Sequence, residues 1–237
     1  MKTNRRRRTR KQRRGKKISR RRQRGGDDIK YPPDSINDYV NHVLYINLDS
    51  RVDRRKQIER QLQIFNTSKI TRIPGILESE YPYIGCLKGH IKALETAKEN
   101  GWDNVLIVED DAVWKNVENA YPIFEKLVKN PYDVIMLGGT MAEYDKETYR
   151  IKRSQSSSSY MVSKHYYDTF INKAKEVLNS FVPGVTEERD VVVDIAVSWP
   201  LQAADNWFIV APPLMIQAPG FSNIEKKHVD YNGFFTK

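Results

Sequence analysis

The chain of 237 residues has little with which to tie itself together covalently. Its single cysteine, Cys86, excludes an internal disulfide and suits a reducing compartment. It also lacks any apolar run near the ~20 residues that a membrane-spanning helix needs, and its N-terminus has no apolar core of the kind found in secretory signals. No repeat recurs at solenoid periods. The expectation is a cytoplasmic protein with neither transmembrane segment nor signal peptide. Acidic residues are absent from residues 1–26, which hold 15 of the 40 Lys and Arg. The remaining 25 basic and 30 acidic residues leave the body at −5, so the overall charge of +10 belongs to the arm.

That arm (Arg5-Arg6-Arg7-Arg8, Lys16-Lys17, Arg20-Arg21-Arg22) has nothing to bury and reads as disordered. With no aromatic residue interleaved, it offers charge without base stacking. Any polyanion binding by it is expected to be non-specific and salt-sensitive, and a nuclear-import address is the other functional reading. Gly25-Gly26-Asp27-Asp28 to Pro32-Pro33 breaks the composition as a linker. The division is therefore a basic arm and linker over 1–37 and one domain over 38–237, a size that supports a single core.

Within the domain, Val105-Leu106-Ile107-Val108 reads as a buried strand that runs directly into Glu109-Asp110-Asp111. Three adjacent carboxylates repel one another and resist desolvation. A hard cation such as Mn²⁺ or Mg²⁺ turns that repulsion into attraction. The end of a strand is also where open α/β sheets bind ligands.

Other elements follow in order. His42 to Leu48 reads as the first strand, followed by a helix capped by Asp49-Ser50 with Ile58, Leu62 and Phe65 on one face. Its first turn carries Arg51, Arg54 and Arg55, poorly placed for the helix dipole and suited to a phosphate-binding edge. Residues 70–73 form a short strand. A helix then begins around Gly85 to His90, with Leu87, Ile91 and Leu94 on one face, and stops at Gly101. A further helix carries Ile123, Phe124, Leu127 and Val128. The strand 133–137 ends in Gly138-Gly139, where a ligand can approach the backbone. Residues 141–153 read as a surface loop and 154–159 as a low-complexity stretch, with a mobile lid as the functional alternative. A strand at 160–162, a helix carrying Tyr167, Phe170, Ala174 and Leu178, and a strand at 207–210 complete the α/β pattern. Asp194 stands in the apolar run 191–196, where a raised pKa suits a general base. The tail from Gln217 to Ile224 reads as irregular, with His228 beyond it.

Taken together, Tyr45-Ile46-Asn47-Leu48-Asp49-Ser50-Arg51-Val52-Asp53-Arg54-Arg55, Gly85-Cys86 with His90, Leu106 to Asp111, Asp133 to Gly138, Tyr160 to Ser163, Asp194, and Gln217 before Phe221-Ser222-Asn223-Ile224 resemble glycosyltransferase family 25. This family includes lipopolysaccharide-type sugar transferases and procollagen galactosyltransferases. The resemblance spans residues 42 to 224 and suits a compact viral or bacterial member. It implies a GT-A fold, a Rossmann-like, mostly parallel mixed sheet flanked by helices. It further implies a UDP-sugar donor, UDP-galactose or UDP-glucose, with Mn²⁺ or Mg²⁺. Transfer to a hydroxyl is then inverting, the acceptor being a glycan or the hydroxylysine of collagen-like protein. By match, Glu109, Asp110 and Asp111 take the metal-binding acidic motif; His228, which lies outside the matched motifs, is the candidate for a further ligand. Asn47, Leu48, Arg54, His90 and Asp110 line the nucleotide, and Asp194 is the base. The viral reading places the protein in a virus factory or virion. Two positions depart from the pattern: Gly89 stands where the family has Ser, and Asn223 where it has Asp. An inactive UDP-sugar binder, and a nucleic-acid-associated protein acting through the arm, are the alternatives.

Overall fold

The computed structural model describes residues 29–235; the basic arm read from residues 1–26 lies outside them. The packed chain reaches further back than Asp38. Ile36 is fully buried in a one-turn helix, α1 (Ile36–Tyr39), and the Ser35 hydroxyl lies 2.7 Å from that of Tyr121.

The chain continues through β1 (His42–Asn47), α2 (Val52–Gln61), β2 (Ile70–Pro74), α3 (Pro82–Asn100), β3 (Asn104–Glu109), β4 (Ala112–Trp114) and α4 (Val117–Val128). After β5 (Val134–Met136), β6 (Thr140–Tyr144) and β7 (Ile151–Gln155) come β8 (Ser159–Ser163) and α5 (Tyr167–Ser180). A π-helical turn, Val193–Val197, leads into α6 (Ser198–Ala204), and β9 (Trp207–Ile209), β10 (Met215–Gln217), β11 (Gly220–Ser222) and β12 (Lys227–Val229) close the fold.

Six strands form the main sheet in the order β2-β1-β3-β8-β5-β9. Only β8 runs against the others, pairing antiparallel with β3 and with β5. The protein is thus α/β, with a mixed, mostly parallel sheet covered by helices on both faces. The two-residue period of the strands builds both cores at once. Leu44, Val105 and Ile107 face one core with α3 and α5, while Val43, Tyr45, Leu106 and Val108 face the other with α2 and α4. Strands buried on both faces need near-continuous apolar runs, which is why 105–108 has no polar residue.

This arrangement fixes where a ligand fits. β1 lies between β2 and β3, and the α2 and α3 connections pass on opposite faces of the sheet. The chain diverges between the carboxyl ends of β1 and β3, the crevice where open α/β sheets bind ligands. Asn47 ends β1 and Glu109 ends β3.

Several expectations are corrected. α2 has no Asp49-Ser50 side-chain cap; its cap residue is Arg51, and the Asp49 carboxylate accepts from Arg72 instead. α3 begins at Pro82, which lacks the N–H that a first helical turn leaves unpaired, so His90 lies about two turns inside the helix and not near its start. The stretch read as a surface loop at 141–153 is mostly the β6–β7 hairpin, held by Arg153 on Glu143 at 2.7 Å. Residues 191–196 form the π-helical turn and its approach. The tail read as irregular begins on the last residue of β10 and holds β11, which pairs with β12 just beyond it. The bareness of Gly138-Gly139 serves the protein's own packing. A Cβ on Gly138 would lie 2.1 Å from the Met215 carbonyl oxygen, and one on Gly139 would lie 2.2 Å from the Ser154 hydroxyl oxygen.

Candidate active site

The ends of β1 and β3 bring Asn47 and Asp110 together, and the Asn47 amide donates to Asp110 Oδ2 at 2.7 Å. The rest of Asn47 is also engaged: it donates to the Arg51 carbonyl at 3.0 Å and accepts from Arg72 Nε at 3.1 Å. Asn47 therefore orients an acid as much as it lines a cavity. From the first turn of α2, Arg54 Nη1 bridges Asp110 Oδ1 at 3.0 Å and Asp111 Oδ2 at 2.8 Å, while its Nη2 donates to the Phe221 carbonyl at 2.7 Å. Arg51 donates to Asn223 Oδ1 at 2.6 Å. The short ladder of β4 with β10 sets Gln217 beside Ala112, and the Gln217 amide donates to Asp111 Oδ2 at 3.0 Å.

One oxygen of this acidic cluster is left over. Asp111 Oδ1 is buried and has no hydrogen-bond partner among the described residues. A buried acceptor without a donor is costly, and around it three carboxylates crowd the positive charge of Arg54. Burial first, and then the charge of Glu109, push the Asp111 carboxyl up to about 7. Asp110 is raised as well, burial outweighing the Asn47 and Arg54 bonds. A site with surplus negative charge, all-oxygen donors and an unpaired lone pair fits a hard divalent cation.

Glu109 behaves differently. Burial acts to raise it, but the His90 bond at 3.2 Å, the His90 charge and the Ser157 hydroxyl at 3.3 Å together lower it. Its backbone N–H donates to the Ser158 carbonyl at 2.8 Å, so the serine stretch forms a wall of the site.

These residues line a cleft with two lobes. The narrower, about 120 Å³, is lined by Asn47, Leu48, Arg54, His90, Asp110 and Asp111 among others. The wider, about 350 Å³, is lined by Asp194, Ser156, Ser157 and Tyr231 among others. Cys86, Glu109, Gln217, Ser222 and Ile224 border both. Asp194 accepts from the Ser156 N–H at 3.1 Å, and burial, followed by the Glu109 charge, raises its carboxyl.

Of the residues singled out in the sequence, Asn47, Leu48, Arg54, His90, Glu109, Asp110, Asp111 and Asp194 therefore border one cleft. His228 does not: it is exposed on β12, its ring 5.8 Å from that of Phe221, and it lines neither lobe. The arginines of α2 meet acids and carbonyls of the protein itself. Arg72 and Tyr160, which brace Asn47 and His90, carry no signal as site residues in the sequence, because only strand alternation and pairing aim them inward.

No family model matches this chain, and no curated protein matches it in sequence. Solved structures give remote likenesses. A glycosyltransferase involved in glycosylation of the major capsid of PBCV-1 is 14% identical, over 78% of this chain and 95% of that one, with a TM-score of 0.47. Mannose-1-phosphate geranyltransferase from Thermus thermophilus is 9% identical over 73% of each chain, at a TM-score of 0.45. HddC from Yersinia pseudotuberculosis is 10% identical over 78% of this chain and 76% of that one, at 0.41. Likenesses this remote carry no activity across.

Proposed function

We propose that this protein is a metal-dependent glycosyltransferase of family 25 type. It moves a hexose, galactose or glucose, from a UDP-sugar to a hydroxyl of a glycan or of collagen-like hydroxylysine. The observation that carries the reading is the unpaired, buried Asp111 Oδ1 beside Asp110, at the crevice between β1 and β3. Asp111 and Asp110 would hold Mn²⁺ or Mg²⁺, with Glu109 adding charge; when bound, the cation supplies Lewis-acid stabilisation of the leaving diphosphate. Arg54 and Arg51 add positive charge on the same side of the cleft. Asn47 and Gln217 keep the two aspartates oriented. The wider lobe is large enough for a hexose and an acceptor hydroxyl. Asp194, with its raised pKa, takes the acceptor's proton as the oxygen attacks.

The inactive-binder reading rests on Asn223. Here Asn223 already accepts the Arg51 guanidinium through its amide oxygen, so the missing carboxylate leaves no unpaired arginine behind. That favours an active enzyme. The test is UDP release by the full chain from a panel of UDP-sugars, with Mn²⁺ and with chelator. Metal-dependent release from one UDP-hexose, lost in Asp111→Ala, supports the reading. UDP binding without release from any donor moves it to the inactive binder, and no UDP binding at all overturns it.

A further inference from the structure

Glu109 has two neighbours, Cys86 and His90, to which the proposed sugar transfer assigns no chemical step. Cys86 and His90 are four residues apart on α3 and so project from the same helix face. The Cys86 sulfur, a His90 ring nitrogen and a Glu109 carboxylate oxygen all lie within 4.8 Å of one another. His90 is 1% exposed, and its two nitrogens have separate partners: Nδ1 lies 2.8 Å from the Tyr160 hydroxyl, and Nε2 lies 3.2 Å from Glu109 Oε1. Tyr160 is itself fixed in β8 and packed against Phe170. Such a partner on one imidazole nitrogen is the usual means of aiming the other at a metal.

We infer that Cys86, His90 and Glu109 form a second cation site, for a divalent metal of the zinc class, distinct from the hard-cation position at Asp110 and Asp111. A thiol, an imidazole and a carboxylate together suit Zn²⁺, whereas Mg²⁺ and Mn²⁺ favour oxygen donors. Tetrahedral bonds of about 2.0–2.3 Å set ligand atoms about 3.3–3.8 Å apart. The observed spread therefore closes by about 1 Å, which rotation of the Cys86 and Glu109 side chains supplies. Both residues border the two lobes of the cleft, so a fourth position opens to solvent or ligand. Without metal, His90 Nε2 pairs with Glu109 and Nδ1 pairs with the Tyr160 hydroxyl. On binding, the thiol proton leaves to solvent. Nε2 gives up any proton it carries and its lone pair takes the metal, while the single proton left on the ring, at Nδ1, donates to the Tyr160 oxygen.

The sole cysteine makes the test specific, because any thiolate–metal signal must come from Cys86. The metal-free full chain is titrated with Co²⁺ and followed by absorption. The expected result is a thiolate-to-cobalt charge-transfer band saturating at one equivalent, with the visible bands of tetrahedral cobalt, and displaced by one equivalent of Zn²⁺. Cys86→Ser abolishes the band, Glu109→Gln and His90→Gln weaken binding about 10–100-fold, and Asp111→Asn retains it. Where His90→Gln does not fold, the two variants at the cleft wall carry the test, with folding checked by circular dichroism. Cobalt bound without a thiolate band, or a band whose affinity is unchanged in Glu109→Gln, overturns the proposal. Neither result depends on UDP release, so this site and the transferase reading fail separately.

Discussion

Arg54 Nη1 donates to Asp111 Oδ2 across 2.8 Å, from the first turn of α2 to the end of β3. Their side chains are 15% and 5% exposed, so this is a largely dry ion pair. Removing one partner of such a pair costs roughly 3–5 kcal/mol, because the other charge stays buried and uncompensated. Arg54→Met is therefore expected to destabilise the metal-free protein by up to that amount above about pH 7, where Asp111 is ionised. Below it the loss is smaller, because the carboxyl takes a proton instead. Both are read from chemical denaturation in chelator. Saturating Mn²⁺ should recover part of the loss by supplying the missing positive charge. A variant whose stability ignores Mn²⁺ would count against a cation at Asp111.

The same burial sets a pH dependence. Asp111 is raised from an ordinary value of 3.8 to about 7, so the folded protein holds this proton more tightly than the unfolded chain. A raised carboxyl contributes stability in the acid range, and that contribution is lost as pH climbs from about 4 to about 7. The slope reaches at most ~1.4 kcal/mol per pH unit from one group. Asp110 and Asp194 shift in the same direction. Thermal midpoints of the metal-free protein and of Asp111→Asn, compared from pH 5 to 7.5, isolate this group. The variant should gain relative to the parent as pH rises, and parallel curves would show that Asp111 titrates normally.

Some of this is legible in the sequence and some cannot be. β1, β3, β8 and β9 announce themselves through branched and aromatic runs, and their faces follow from alternation. The hairpin β6–β7 does not, because Ile151, Ser154 and Thr140 are its few buried positions and its register shifts twice. Serine composition at 154–159 suggests a solvated stretch, yet Ser158 and Ser159 are buried, and the Ser158 carbonyl receives the Glu109 N–H. The acids of the site are readable as a charge anomaly at a strand end. Their counterion is not: Arg54 meets them across 56 and 57 residues of chain, a pairing created only when α2 folds back over β1 and β3. His228 misleads for the converse reason, since a ligand-type side chain near the end of the chain carries no information about which way β12 faces.

Gly138 offers a test of the packing that closes the site from below. A methyl group there would meet the Met215 carbonyl oxygen at 2.1 Å, and backbone cannot yield as a flexible side chain does. β10, which begins at Met215, also carries Gln217 to Asp111. Gly138→Ala is expected to cost about 1–3 kcal/mol in denaturant unfolding, and to weaken cation binding by shifting Gln217. A loss of stability with unchanged Mn²⁺ affinity would show that the β4–β10 ladder holds Gln217 independently of this contact.

In the proposed transfer, Asp194 is the residue that separates chemistry from binding. It borders the wider lobe and, among the described residues, makes no hydrogen bond to the Arg54–Asp110–Asp111 cluster. Asp194→Asn preserves the oxygen that accepts the Ser156 N–H, so the π-helical turn should stay in place. Removing a general base typically costs 10²–10⁴-fold in rate. The expected outcome is a fall in kcat of that order with the Kd for UDP nearly unchanged, together with loss of the acidic limb of the pH–rate profile. A variant that turns over at the parental rate would assign the base elsewhere in the wider lobe. Glu188, which lines it too, would be the next carboxylate to replace.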